Sequence, residues 1–168
     1  MARRVNARRH GRAATESRPK GSPVATDSVQ ESVVINAELG TVYDVVGDFE
    51  SYPEWLDEFR ETEILATRDD GWAERVRFRL ASMGITINMV LEYTYSDTRM
   101  EWVLVEADMM QRNDGAYDMV DNGDGTTTLT YELLIETSVP LPGMIRKQLA
   151  KKTVNGSLKA IKQRAEAS

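Results

Sequence analysis

The 168-residue chain carries 21 Lys/Arg, 27 Asp/Glu, no cysteine and one histidine, His10. Without cysteine there are no disulfides, thiolate metal sites or thiol nucleophiles. With histidine confined to the N-terminal region, Ser-His-Asp, Cys-His and HExxH chemistry are excluded too, and any catalysis falls to Asp, Glu, Tyr, Lys, Arg or water.

A hydrophobic share of 41 % fits one soluble domain with a tail, large enough to bury a core without staples. Residues 1–27 hold seven basic side chains against Glu16 and Asp27, and almost no large apolar ones. Such a segment cannot bury enough surface to fold alone, so a disordered basic tail is expected over 1–27 and a folded domain over 28–168. It has a basic start but no apolar core, so it is not a secretory signal. No stretch reaches the roughly 18 apolar residues of a membrane span, and a cytoplasmic protein is expected. The tail suits an acidic partner or an acidic membrane surface; a solvated leader is the plainer reading. The acidic middle of the chain argues against a nucleic-acid face on the domain.

From Ser28 the pattern changes. SVQESVVINA ends in a β-branched run and predicts a strand. AELGTVYDVVGDF sets Val42, Val45 and Val46 at helical spacing. DFESYPEWLDEF follows. Tyr52 precedes Pro53, which disfavours helical backbone at Tyr52 and predicts a bend. Pro53 then suits the first turn of a short helix, with Trp55, Leu56 and Phe59 on one face as a half-buried lid.

Strands come next. RDDG supplies a turn between the first two. The second alternates Val76, Phe78 and Leu80 against Arg75, Arg77 and Arg79, a basic stripe that Glu74, Glu92 and Glu101 can neutralise. ITINMVLEYTY alternates again, RMEWVLVEAD puts Met100, Trp102 and Leu104 in phase, and DNGDG turns a final hairpin. An EF-hand reading of that turn fails, because aligning its loop glycine puts Val120 and Tyr131 at ligand positions. Pro140 and Pro142 end the sheet. A long helix follows, with Ile145, Leu149, Val154, Leu158 and Ile161 as its apolar stripe and seven Lys/Arg but no acid over 144–164. A curved meander against one long helix leaves room for a cavity of the usual ligand-site size, roughly 300–1,000 Å³.

The motif VVINAELGTVYDVVGDFESYPEWL, the strand EWVLVEAD, the segments DGAYDMV and DGTTTLTYEL, and the closing VPLPGMI before a helix together resemble the polyketide cyclase/dehydrase branch of the START-like (SRPBCC) superfamily, which also holds the coenzyme Q-binding proteins. The resemblance implies an α+β helix-grip fold: a curved antiparallel sheet of about seven strands around a long C-terminal helix, with a deep apolar cavity between them. Members bind lipids, sterols, quinones, plant hormones or polyketide intermediates. Some cyclise or dehydrate a polyketide, and many only bind and carry.

The expected function is therefore carriage or sequestration of a small hydrophobic ligand. A polyketide cyclase/dehydratase is the alternative, and an interaction protein using the basic tail and helix is a third reading. No shared catalytic residue defines the superfamily, so none transfers. No cofactor or metal is expected, and oligomeric state leaves no mark on the pattern. The candidate ligand contacts are Trp55, Phe59, Phe78, Met89, Tyr93, Trp102, Tyr117 and Tyr131, with Ile87, Leu91, Met119 and Leu133 in phase beside them. Each could equally be core. A buried phenol wants a hydrogen-bond partner, which a ligand, a side chain or water could supply. Glu106 shares parity with Trp102 and Leu104, so it is either paired or protonated inside, where it could act as an acid, or solvated at a strand end.

Overall fold

Alternating apolar and polar residues become seven strands of one antiparallel sheet, in the order β1-β7-β6-β5-β4-β3-β2. A computed structural model describes residues 27–82 and 84–168. In chain order the elements are β1 (Asp27–Ile35), α1 (Leu39–Gly47), a 3-10 turn (Phe49–Ser51), α2 (Tyr52–Trp55), β2 (Phe59–Thr67), β3 (Ala73–Ser82), β4 (Ile85–Tyr95), β5 (Arg99–Ala107), β6 (Met110–Asp121), β7 (Thr127–Thr137) and α3 (Gly143–Glu166). Strands β2 to β7 form the meander that the hairpin turns predict. β1 returns to pair with β7. The expected tail lies outside the described residues, except that β1 already begins at Asp27.

The inner face of the sheet carries Val76, Phe78, Leu91, Tyr93, Met100, Trp102, Leu129, Tyr131 and Leu133, all buried. The arginine stripe of β3 does face outward. Arg75 pairs with Glu92 as expected, while Arg77 pairs with Glu63 and Arg79 with Glu61. Glu101 is taken by Arg99. Cross-strand register decides this, since β2 brings Glu61 and Glu63 opposite Arg79 and Arg77.

A bulge in β5 changes the phase of one candidate. Leu91 faces Leu104 but Val90 faces Glu106, so one residue is extra. The extra residue turns Glu106 to the solvent side, where it is exposed. Sequence parity alone would have placed it inside.

The lid segment also departs from expectation. Tyr52 stays in the right-handed helical region (φ −50°, ψ −43°) despite Pro53, and the break comes at Leu56 (φ −108°, ψ 103°). Burial of the Tyr52 ring and its hydroxyl bond to the Val46 carbonyl outweigh the pre-proline preference. Phe59 opens β2 instead of sharing a helical face with Trp55.

Helix α3 crosses the inner face beside β1 and β7, burying Ala150, Val154, Leu158, Ile161 and Ala165. Each large apolar side chain so buried contributes about 1.5–3 kcal/mol. The stripe does not continue to Ile145, which is 49 % exposed, because the first turn of α3 runs past the sheet.

Candidate ligand cavity

Between sheet, lid and helix lies an apolar cavity of about 110 Å³. Its wall shows a gradient. Tyr52, Phe78, Met89, Leu91, Tyr93, Trp102, Asn113, Tyr117, Tyr131, Leu133 and Ile135 are buried. Glu58, Phe59, Leu80, Ser82, Ile87, Met110, Leu149, Thr153 and Ser157 are half-buried and mark the mouth. The volume falls below the sequence-based expectation because interlocking rings fill the space. Trp102 contacts Tyr93, Tyr117 and Tyr131 at centroid distances of 5.9, 5.2 and 5.7 Å, and Tyr52 stacks on Phe78 at 6.1 Å.

Polar groups are few. The Trp102 indole N–H donates to Asn113 Oδ1 at 3.2 Å, and the Asn113 amide reaches Met89 Sδ at 3.3 Å on the side towards Met110. The hydroxyls of Tyr117 and Tyr131 interact with each other. Burial pushes the phenols of Tyr52, Tyr93, Tyr117 and Tyr131 above their ordinary 10.0. They are therefore neutral hydrogen-bond donors near pH 7. At the mouth the Ser82 hydroxyl donates to Glu58 Oε1 at 2.8 Å. Among the described residues no cluster of side chains suits a metal ion.

Seven of the eight candidate residues line this cavity: Phe59, Phe78, Met89, Tyr93, Trp102, Tyr117 and Tyr131. Trp55 does not. Its ring meets Tyr52 edge-on at 5.4 Å, its N–H reaches Ser51 Oγ at 3.5 Å, and it borders shallow clefts beside α3. The helix ends at Trp55, so the chain turns Leu56 inward in its place. Trp55→Ala is thus expected to cost about 1–2 kcal/mol of stability, less than a fully buried tryptophan, and to leave ligand affinity unchanged. Urea unfolding beside ligand titration checks both.

Sequence reasoning missed Tyr52, Glu58, Ser82 and Asn113. Asn113 was readable, since it shares strand parity with Tyr117 and Met119. Glu58 and Ser82 lie near strand ends, where parity says little.

Residues 26–166 match the family described as polyketide cyclase / dehydrase and lipid transport, and the chain belongs to that family. Similar solved structures agree on the fold. A START superfamily protein from Mycobacterium smegmatis is 28 % identical, covering 83 % of this chain and 97 % of its own, with a TM-score of 0.79. The Zhui aromatase/cyclase from a Streptomyces species is 16 % identical over 84 % of this chain and 94 % of its own, TM-score 0.70. A STAR-related lipid transfer protein from Xanthomonas axonopodis is 15 % identical over 82 % and 85 %, TM-score 0.67. The protein is a START-like helix-grip domain of a family defined by hydrophobic-ligand handling. Among the described residues no helix is long and apolar enough to cross a membrane.

Proposed function

We propose that this domain carries or sequesters a small hydrophobic ligand of the lipid, quinone or polyketide class, in the cytoplasm. The observation that supports it is an apolar cavity whose buried wall holds protonated phenols. Those phenols suit a ligand with a carbonyl or similar acceptor. A ligand larger than 110 Å³ enters only if the half-buried wall, Phe59 on one side and Leu149 and Thr153 on the other, moves apart.

Neutral phenols donate hydrogen bonds but do not abstract protons, so they serve binding and leave any base catalysis to a carboxylate. The cyclase/dehydratase alternative would rest on Glu58, the carboxylate that lines the cavity. Glu58→Gln separates the two: a carrier keeps its affinity, and an enzyme keeps its affinity but loses turnover.

Native mass spectrometry of protein from its own host, with organic extraction, tests the proposal directly. A discrete apolar molecule is expected. An empty protein with no thermal shift across lipids, quinones and polyketides would overturn it. Once a ligand is in hand, Tyr131→Phe is expected to weaken its binding by about 1 kcal/mol, the worth of one hydrogen bond. Isothermal titration of both proteins reads this, and equal affinities would remove Tyr131 from the contact set.

A further inference from the structure

The end of the sheet away from the cavity mouth carries an aromatic cleft of its own. There the RDDG turn joins β2 to β3, and β4 turns into β5. The first turn is locked by its own bonds. Gly71 N–H donates to the Arg68 carbonyl at 3.0 Å, Arg68 N–H to the Trp72 carbonyl at 2.8 Å, and Trp72 N–H to Asp70 Oδ1 at 3.1 Å. Gly71 takes φ +90°, a region that favours glycine. Trp72 is thereby laid against α1, where a Cβ on Gly47 would stand 2.2 Å from its Cζ3.

Three rings line the resulting cleft, which has a volume of about 420 Å³. Trp72 meets Tyr43 edge-on at 5.3 Å and Tyr95 at 5.2 Å. Both phenolic hydroxyls are engaged by backbone: Tyr43 donates to the Ser96 carbonyl at 2.7 Å, and Tyr95 to the Ala73 carbonyl at 2.6 Å. The rings are therefore held in place and offer the cleft π-electron surface instead of hydroxyls. A cation already uses one of them, since the Arg68 guanidinium lies 5.4 Å from the Tyr95 ring centroid.

The charges around these rings do not balance. Asp44, Arg68, Asp70 and Asp97 line the cleft, all exposed. Arg68 pairs with Asp70 at 2.9 Å. The carboxylates of Asp44, on α1, and Asp97, on the β4–β5 turn, have no hydrogen bond or ion pair among the described residues. Glu38 and Asp69, each next to a lining residue in the chain, are acidic and exposed as well. Of the neighbouring cations, Arg99 is taken by Glu101 and Asp118, and Arg164, on the far side of Asp44 beside Asp48, pairs with Glu54. The N-terminus of α1, at Leu39 and Gly40, contributes about half a positive charge, too little to offset two carboxylates.

We infer that this cleft binds a small alkylammonium cation, its charge met by Asp44 and Asp97 and its apolar surface by Tyr43, Trp72 and Tyr95. A metal ion fits less well, because among the described residues no group of side chains suits one. The cleft shares no lining residue with the apolar cavity, so the inference is independent of the ligand held there.

Titration of the full chain with tetramethylammonium chloride, set against sodium chloride at equal ionic strength, tests this by NMR of the indole N–H signals. The Trp72 signal is expected to shift saturably with tetramethylammonium and not with sodium. Asp44→Asn/Asp97→Asn is expected to weaken binding about tenfold with an unchanged melting temperature, both carboxylates being exposed. Arg68→Gln is expected to tighten it, because the Tyr95 face is vacated and Asp70 is freed. Equal shifts with the two salts would overturn the inference. So would undiminished affinity in the asparagine variant, or weaker binding to the glutamine variant.

Discussion

Trp102→Ala is expected to cost about 3–5 kcal/mol of stability, the range for deleting a buried aromatic ring. The indole meets Tyr93, Tyr117 and Tyr131, and its N–H holds Asn113 Oδ1. Truncation empties the centre of the cavity wall and strips a buried amide of its donor. Beneath the ring lies Gly115. A Cβ there would stand 2.4 Å from Trp102 Cζ2 and 2.8 Å from the Glu132 carbonyl oxygen, so only glycine admits the indole. Gly115→Ala alone is expected to cost about 1–3 kcal/mol through overpacking. The double variant should lose less than the sum, because without the indole only the Glu132 oxygen resists the new methyl. Urea unfolding of the three variants measures the cycle. Strict additivity would mean that ring and glycine do not constrain each other.

Alkali is expected to unfold the protein steeply. Tyr52, Tyr93, Tyr117 and Tyr131 are raised by burial, and their mutual proximity adds to this for Tyr52, Tyr93 and Tyr117. In the unfolded chain these phenols ionise near 10.0, while the folded state keeps them protonated. Their stabilising contribution is therefore complete below pH 10 and is lost as pH rises through the folded values. Each protonated phenol removes about 1.4 kcal/mol per pH unit above 10, so four together remove roughly 5–6. Against a typical total of about 5–15 kcal/mol, the fold should fail within roughly one to three pH units of that point. Circular dichroism and urea midpoints across the alkaline range would show it. A midpoint flat up to about pH 12 would mean that the phenols ionise in place.

The strands were legible because period-two alternation is strict where one face is buried, as in Val76, Phe78 and Leu80 against three arginines. The resemblance carried by VVINAELGTVYDVVGDFESYPEWL supplied the helix-grip architecture that alternation alone leaves open. Most of the cavity wall followed from parity too. Failures came where geometry is not periodic. The lid left the helix one residue before Leu56 could share Trp55's face, and α3 outran the sheet at Ile145, whereas Glu106 lies in solvent near its strand end, one of the placements the sequence left open. None of these leaves a local sequence signal, because each is set by what the segment packs against. Cavity volume was equally hidden, since it depends on how seven aromatic rings interlock and not on their identities.

Strand β2 ends the sheet, and its unpaired side offers backbone donors and acceptors to any passing chain. It also carries exposed Ile64 and Leu65, at 37 % and 40 %. The register breaks between Phe59 and Glu61, Ile64 and Ala66, and Ala66 and Thr67 spoil the regular spacing that a docking strand would need. Glu61 and Glu63, tied to Arg79 and Arg77, keep fixed charge on the outward face of the same border. The salt links that looked ornamental on a solvated surface thus act as a guard against fibril growth. Replacing Glu61 and Glu63 with threonine would remove that guard while leaving the interior untouched.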